Sequence, residues 1–280
     1  MSEHAPITIG LAVYNEGPYI EETLKSIQAQ TFKDFIVLIS DNGSTDDTLK
    51  KCYAVAQDDP RFLIHAHDYN RGAGFNGQYV YEQSCSDYFM FLGGHDTLQP
   101  DFLAETKSIL DTRPDVSMVF GYVRAMDENS EIYPEVRQQA IYDFSQDNPL
   151  VRYIESVARL ADCTIIQSLF RRKDLLDFSF RSVMSEDHIL ISRLLWKGKL
   201  HIIEKPLYNR RFFKERNSTA AERMSGENNK KRNYYPMYCS YLDDFEKLYE
   251  GDSRMSNYLV TRILTILEKR WGTSFLYPPQ

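Results

Sequence analysis

The stretch "FIVLISDNGSTDDTLKKCYAV" (residues 35–55) sets the architecture. Residues 35–40 are almost wholly apolar, the composition of a strand buried on both faces, as strands of parallel sheets are. Asp41, Asn42, Gly43 and Ser44 then make a polar turn, and Ser44 followed by Asp47 resembles a capping box with Asp in place of Glu. Leu49, Cys52 and Val55 recur at helical spacing.

The same strand, turn and helix repeat on either side. "ITIGLAVY" (7–14) reads as a strand, and Pro18 sits where a helix carrying Ile20, Leu24 and Ile27 begins. "RFLIHAH" (61–67), a helix over 74–85 and the strand "YFMFL" (88–92) follow. Pro100 opens a helix that turns Phe102, Leu103, Ile109 and Leu110 inward, before the strand "VSMVFGYV" (116–123). Such alternation predicts an α/β fold whose central sheet is mostly parallel and flanked by helices.

After residue 125 the alternation loosens. "MDENSEIYPE" suggests a turn in an antiparallel excursion, then a helix over 148–160, a strand at "TIIQSLF" (164–170) and a short helix at 172–177. "SEDHILISRLLWKG" (185–198) reads as a helix closed by Gly198, and "LHIIEKPLYNRRFF" (200–213) as extended. Residues 214–228 are polar and loop-like, and the last fifty or so are helical. There Tyr258, Leu259, Ile263, Ile266 and Leu267 make one apolar stripe. The expected organisation is a domain over 1–215, with halves at about 6–125 and 126–215, and a mobile loop plus helical extension over 216–280.

Composition narrows the function classes. The chain has 280 residues, 42% hydrophobic and 26% charged, enough for a sizeable core. Its net charge of −7 argues against nucleic-acid binding, which needs cationic surface. Cys52, Cys85, Cys163 and Cys239 are isolated, which predicts buried free thiols in a reducing cytoplasm rather than a zinc site or disulfide scaffold. No apolar run is long enough to span a bilayer, and the start lacks the pattern of a signal peptide, so a cytoplasmic location is expected.

In an open parallel sheet, ligands bind beyond the carboxyl ends of the strands. Four such ends carry polar residues here: Tyr14-Asn15-Glu16, Asp41-Asn42-Gly43-Ser44, Asn70-Arg71 and His95-Asp96. Each could simply start the next helix, and together they would form one polar crevice.

"AVYNEGPYIEETLKSIQAQTF", "LISDNGSTDDT", "NRGAGFNGQYVYEQSCSDYFMFLGGHD" and "SEDHILISRLLWKG" resemble the successive signatures of family-2 glycosyltransferases, in order, over about residues 6–215. The resemblance implies a GT-A fold and transfer of a sugar from a nucleotide donor, most often a UDP-sugar, with inversion and a divalent cation, Mn²⁺ or Mg²⁺. It places Tyr14, Asn15 and Glu16 beside the nucleoside, and Asp41 and Asn42 in the loop that reads the base. Asn42 replaces the usual second Asp. Arg71 and Asn76 fall where the family approaches the base or diphosphate.

The family's metal motif has acidic residues at or near positions held here by Gly93, His95 and Asp96. Asp96 alone survives, and the resemblance makes it the metal ligand. His95 is a second ligand, a donor to sugar or phosphate, or a loop residue without a ligand. The general base is Asp187, with Glu186 as the alternative; two acids at a helix start also complement its dipole. Arg210, Arg211, Lys214 and Arg216 suggest a closing lid over the diphosphate, with Arg211 the chosen contact, or a solvated basic loop.

The acceptor side is a carbohydrate or glycolipid in polysaccharide or glycoconjugate assembly, with Tyr133, Tyr142, Phe144, Phe178 and Phe180 as candidate stacking surfaces or core. The C-terminal helix, with Lys269 and Arg270 beyond its stripe, packs on the catalytic domain or a twin subunit in a homodimer, or touches a membrane at its inner face. A rival reading is a non-catalytic nucleotide-sugar binding or scaffold protein, because two acids of the metal motif are missing. A nicotinamide-dependent dehydrogenase is opposed by "YNEGP" after the first strand, where G-x-G-x-x-G would stand. A nucleotidyltransferase would carry a Gly/Arg/Lys-rich phosphate loop there, and none is visible.

Overall fold

The computed structural model describes residues 5–137, 143–178, 180, 183, 185–213 and 235–271. Strands β1 (Ile7–Val13), β2 (Phe35–Asp41), β3 (Phe62–Ala66) and β4 (Tyr88–Phe91) run parallel in the order β3-β2-β1-β4. Val13 pairs with Asp41, and Asp41 with Ala66, so the polar residues after these strands leave the sheet at one edge. The crossovers contain helices α1 (Ile20–Gln28), α2 (Thr48–Ala56) and α3 (Ala73–Glu82). The α1 helix buries Ile20, Leu24 and Ile27, as their spacing predicts.

Beyond β4 the sheet is mixed rather than mostly parallel. The chain passes through β5 (Thr97–Leu98), α4 (Phe102–Thr112), β6 (Val116–Met126), β7 (Ile132–Arg137), α5 (Pro149–Arg159), β8 (Leu169–Arg171), α6 (Glu186–Lys197) and β9 (Lys199–Arg211). The sheet continues from β4 as β8-β6-β9-β5, with β7 antiparallel to β6. β8 opposes both β4 and β6, whereas β6 and β9 are parallel. The long β9 brings residues 208–211 beside β5, next to the loop after β4.

Local departures have local causes. Residues 163–167 form a 3-10 turn, not the start of a strand, because the Asp162 carboxylate accepts from Thr164 N and caps it. Ser44 does not cap α2: its hydroxyl accepts from Asn15 N, and Asp46 accepts from Thr48 N. Cys52 is the buried thiol, whereas Cys85 is exposed and Cys163 and Cys239 are half-buried; all four are free. Tyr142, Lys214 and Arg216 lie outside the described residues, as does the 214–228 loop.

Helices α7 (Tyr235–Leu248) and α8 (Ser253–Trp271) build a second core with α5 and α6, through Tyr153, Val157, Ile189, Met237, Tyr241, Phe245, Ile263 and Leu267. Leu259, Ile263 and Leu267 are buried as the stripe predicts, but Tyr258 points outward, 60% exposed. The Arg193 side chain, fully buried, is paired with Asp244 and lies 2.5 Å from Asp177. A buried guanidinium persists only when its charge is met in this way. Among the described residues, no helix is long and apolar enough to cross a membrane.

Candidate active site

A cavity of about 530 Å³ is lined by His95, Asp96, Asp162, Cys163, Gln167, Asp187, His188 and Arg210, among others. The fold gathers these from the loop after β4, the 3-10 turn after α5, the start of α6 and the end of β9.

Asp96 is 2% exposed, and its carboxylate is held on three sides. Oδ2 accepts from the Tyr208 hydroxyl at 2.6 Å and from Gln167 Nε2 at 3.3 Å, and Oδ1 from Arg211 N at 2.7 Å. The Asp96 charge reinforces burial in raising the Tyr208 phenol well above its ordinary value. Beside it, His95 Nδ1 lies 3.0 Å from Glu16 Oε1. A carboxylate only accepts, so Nδ1 carries the proton, and Glu16 fixes the ring's orientation and tautomer. Glu16 therefore reaches the site through His95. Gly94 permits this approach: a Cβ there would sit 2.9 Å from Glu16 Cγ.

The two arginines at the end of β9 point to opposite sides, as neighbours on a strand do. Arg211, the chosen lid residue, has a fully buried side chain spent on structure. It donates to His95 O at 2.9 Å, Asp127 O at 2.7 Å and Glu22 Oε2 at 2.5 Å. Arg210 instead lines the cavity, donating to Asp162 and to the Thr164 hydroxyl. Burial alone would raise the Asp162 carboxyl, but the Thr164 hydrogen bonds and the Arg210 charge outweigh it and leave it below its ordinary value. Asp162 was not a candidate from sequence, where D-x-T signals only a cap.

At the other strand ends, Asp41 is 1% exposed. Its Oδ2 accepts from Ser44 N, and its Oδ1 is buried with no hydrogen-bond partner. Asn42 is engaged with the 70–72 loop: its amide donates to Asn70 Oδ1 at 2.8 Å and Gly72 O at 3.1 Å, and its carbonyl accepts from Arg71 N. Asn76 is buried, not a helix-surface amide, and donates to Val13 O and Ser40 O, tying α3 to β1 and β2. Asn15, at φ 52°, accepts from Thr45 N. Tyr14 is half-buried, and the exposed Arg71 stacks its guanidinium 3.5 Å from the Phe75 ring. None of these residues is in the lining of the cavity that holds Asp96 and Asp187.

Asp187 lines the cavity at the second position of α6, and the described lining residues do not include Glu186. Burial, then the Asp187 charge, pushes the Cys163 thiol up. His188, also in the lining, is pushed below its ordinary value by burial, with the Asp187 charge opposing. Of the aromatics considered for the acceptor, Phe144 is core, Phe178 and Phe180 pack against it, and Tyr133 is 48% exposed on β7.

The donor set decides what cation fits. Asp96 Oδ2 already accepts two hydrogen bonds and Oδ1 one, which leaves a carboxylate oxygen a single further position. Among the described residues, no group of three or more His, Cys, Asp or Glu could hold a metal ion. The residues therefore fit an ion bound through one Asp96 oxygen and completed by diphosphate and water oxygens, and not an all-protein cage.

The chain is similar to known proteins. The chain is 28% identical over 144 residues to an uncharacterized glycosyltransferase of Methanocaldococcus jannaschii, spanning 50% of this chain and 49% of that one. It is 22% identical over 251 residues to GalNAc(5)-diNAcBac-PP-undecaprenol beta-1,3-glucosyltransferase of Campylobacter jejuni, over 89% of this chain and 76% of that one. Against several curated relatives the chain spans half of their length or less. In fold it is similar to residues 1–349 of S. aureus TarS in complex with UDP-GlcNAc, with a TM-score of 0.69 at 15% identity over 94% of this chain and 72% of that one. It is also similar to the mannosyltransferase PcManGT of Pyrobaculum calidifontis in complex with GDP-Man and Mn²⁺, with a TM-score of 0.54 at 14% identity over 97% and 77%. The fold is thus that of GT-A glycosyltransferases. Residues 8–175 match the model of Glycosyl transferase family 2, well over half of the chain, and the protein belongs to that family.

Proposed function

We propose that this protein transfers a sugar from a nucleoside-diphosphate sugar, UDP-linked by preference, to a hydroxyl of a carbohydrate or glycolipid acceptor, with inversion. The observation that carries the reading is that Asp96 and Asp187, the two acids assigned separate roles, line one cavity from different elements. Asp187 takes the proton of the acceptor hydroxyl as its oxygen attacks the anomeric carbon from the side opposite the leaving diphosphate. Arg210, the cation in the cavity, faces charge that develops on the diphosphate as the glycosidic bond breaks. Asp96 would hold a Mn²⁺ or Mg²⁺ ion, which would supply further neutralisation of that charge. His95, oriented by Glu16, lines the same cavity. The unpartnered Oδ1 of Asp41 suits an imino N–H such as that of uracil, which supports UDP, as does the UDP-GlcNAc bound by the TarS fold relative. The undecaprenol-linked acceptor of the C. jejuni relative supports a lipid-linked acceptor in glycoconjugate assembly; such an acceptor would be met at the cytoplasmic face of a membrane.

Thermal shift with UDP, with and without Mn²⁺, combined with turnover of UDP-sugars, tests this reading. Asp187→Asn is expected to keep UDP binding and to lose turnover by at least about a hundredfold. Equal turnover by wild type and Asp187→Asn sinks it. The rival reading, a non-catalytic nucleotide-sugar binder, draws on Gly93 and His95 standing where the family carries acids. Wild type that binds UDP and turns over no donor would establish it.

A further inference from the structure

The outer face of α8 is a cationic stripe on an acidic protein. At about 100° per residue, Arg254, Met255, Tyr258, Arg262 and Lys269 fall within an arc of about 100°. This arc is opposite the buried Leu259, Ile263 and Leu267. All five are exposed, Met255 at 45% and Tyr258 at 60%. The remaining exposed positions on the arc are threonines, and no acid lies on it. Glu268, half-buried, borders it, and Glu250 and Asp252 precede the helix. No ion pair among the described residues involves Arg254, Arg262 or Lys269. Two large side chains with apolar bodies, flanked by unpaired cations, are what an anionic lipid surface selects.

The C-terminal end of α8 reaches the cavity wall. At the end of α8, Arg270 donates to Val157 O and Leu160 O, just ahead of Asp162. Trp271 packs edge-on against His188, which lines the cavity, with ring centroids 5.5 Å apart. We propose that α8 docks the protein on an anionic bilayer surface through Arg254, Met255, Tyr258, Arg262 and Lys269, with the helix's C-terminal end at the cavity wall. Because the three cations sit on a chain of net charge −7, the rest of the molecule is net acidic, and an anionic surface favours this orientation. The docking does not depend on the catalytic reading.

Each Lys or Arg close to an anionic leaflet multiplies the partition constant about fivefold, so the three cations together contribute about a hundredfold. The test is co-sedimentation of the whole chain, without sugar donor, with vesicles of phosphatidylglycerol in phosphatidylcholine and with phosphatidylcholine alone. Wild type should bind the anionic vesicles, release from them as salt rises through about 0.5 M, and ignore the neutral ones. Arg254→Glu/Arg262→Glu/Lys269→Glu should lose about a hundredfold in partition while keeping the wild-type Tm, since all three side chains are exposed. Failure of wild type to bind, equal binding to both vesicle types, or equal binding by the triple variant overturns the proposal. So does a Tyr258→Cys chain that crosslinks to a second copy in the absence of lipid while wild type leaves vesicles unbound, which would assign the face to a dimer.

Discussion

Removing one oxygen atom tests how the site is held. In Tyr208→Phe the ring keeps its place between Phe120 and Phe102, whose centroids lie 5.1 and 6.4 Å away, so packing is conserved. What is lost is the 2.6 Å hydrogen bond from the hydroxyl to Asp96 Oδ2, between a fully buried donor and a carboxylate only 2% exposed. Hydrogen bonds to charged groups contribute about 1.5–3 kcal/mol net, and the short O–H···O⁻ geometry belongs to the strong class. Asp96 Oδ2 would keep only the 3.3 Å contact from Gln167, which is too long to compensate. The expected loss is about 2 kcal/mol of stability and about 3–4 °C in Tm for a chain of this size. Urea denaturation of wild type, Tyr208→Phe, Asp96→Asn and the double variant isolates the pair in a cycle, with an expected coupling of about 1.5–3 kcal/mol. A coupling below about 0.5 kcal/mol would refute the claim that Tyr208 holds the Asp96 carboxylate.

Other substitutions separate roles that the sequence left together. Asn42→Asp restores the carboxylate usual in the family, but here it would face two acceptors, Asn70 Oδ1 and Gly72 O; it should cost about 2–3 kcal/mol, and a stability equal to wild type by denaturant titration contradicts this. Arg210→Met should cut turnover by about 10²–10³ through lost charge stabilisation, whereas Asp162→Asn, which frees the guanidinium, should cut it far less; equal losses would make Arg210 only the partner of Asp162. His188 gives a pH signature. Burial holds its folded pKa below 6.5, so the unfolded chain binds more protons below that value. Stability from this group is then full above about pH 6.5 and falls as pH drops toward the folded pKa, by at most about 1.4 kcal/mol per unit. His67 and His201 shift the same way, so the readout is the difference in urea midpoint between wild type and His188→Phe at about pH 7.5 and 5.5. Parallel pH slopes would remove His188 from the effect.

The first half of the fold was legible because its strands are dense in apolar residues and its helices keep one face inward, so local pattern and packing agree. Residues 164–170 misled because Thr164, Ile165 and Ile166 favour strands one by one, yet the Asp162 cap bends them into a 3-10 turn. Asp96 and Asp187 could be picked out by their motifs. The choice between Arg210 and Arg211 could not, because adjacent side chains on a strand face opposite ways and the sequence does not say which way is inward. Asn42 and Asn76 looked like ligand contacts because turn amides and ligand amides are the same chemistry; only the 2.8–3.3 Å distances to backbone and side-chain partners show how each is engaged. Tyr258 joined the apolar stripe on composition and left it on angle, since it sits beside Leu259 in sequence but about 100° away around the helix.

The α6 helix is built into both cores. Leu190, Ile191, Leu194 and Leu195 pack into the sheet's core, and Ile189 into that of the C-terminal helices, while Arg193 is pinned to Asp244 on α7. Chimeras that swap the C-terminal helices between relatives to change acceptor preference must therefore carry a matching acid for Arg193. Without one, the graft leaves the buried Arg193 with Asp177 alone on the helix that carries Asp187, and the damage would be read as altered specificity when its origin is a displaced Asp187.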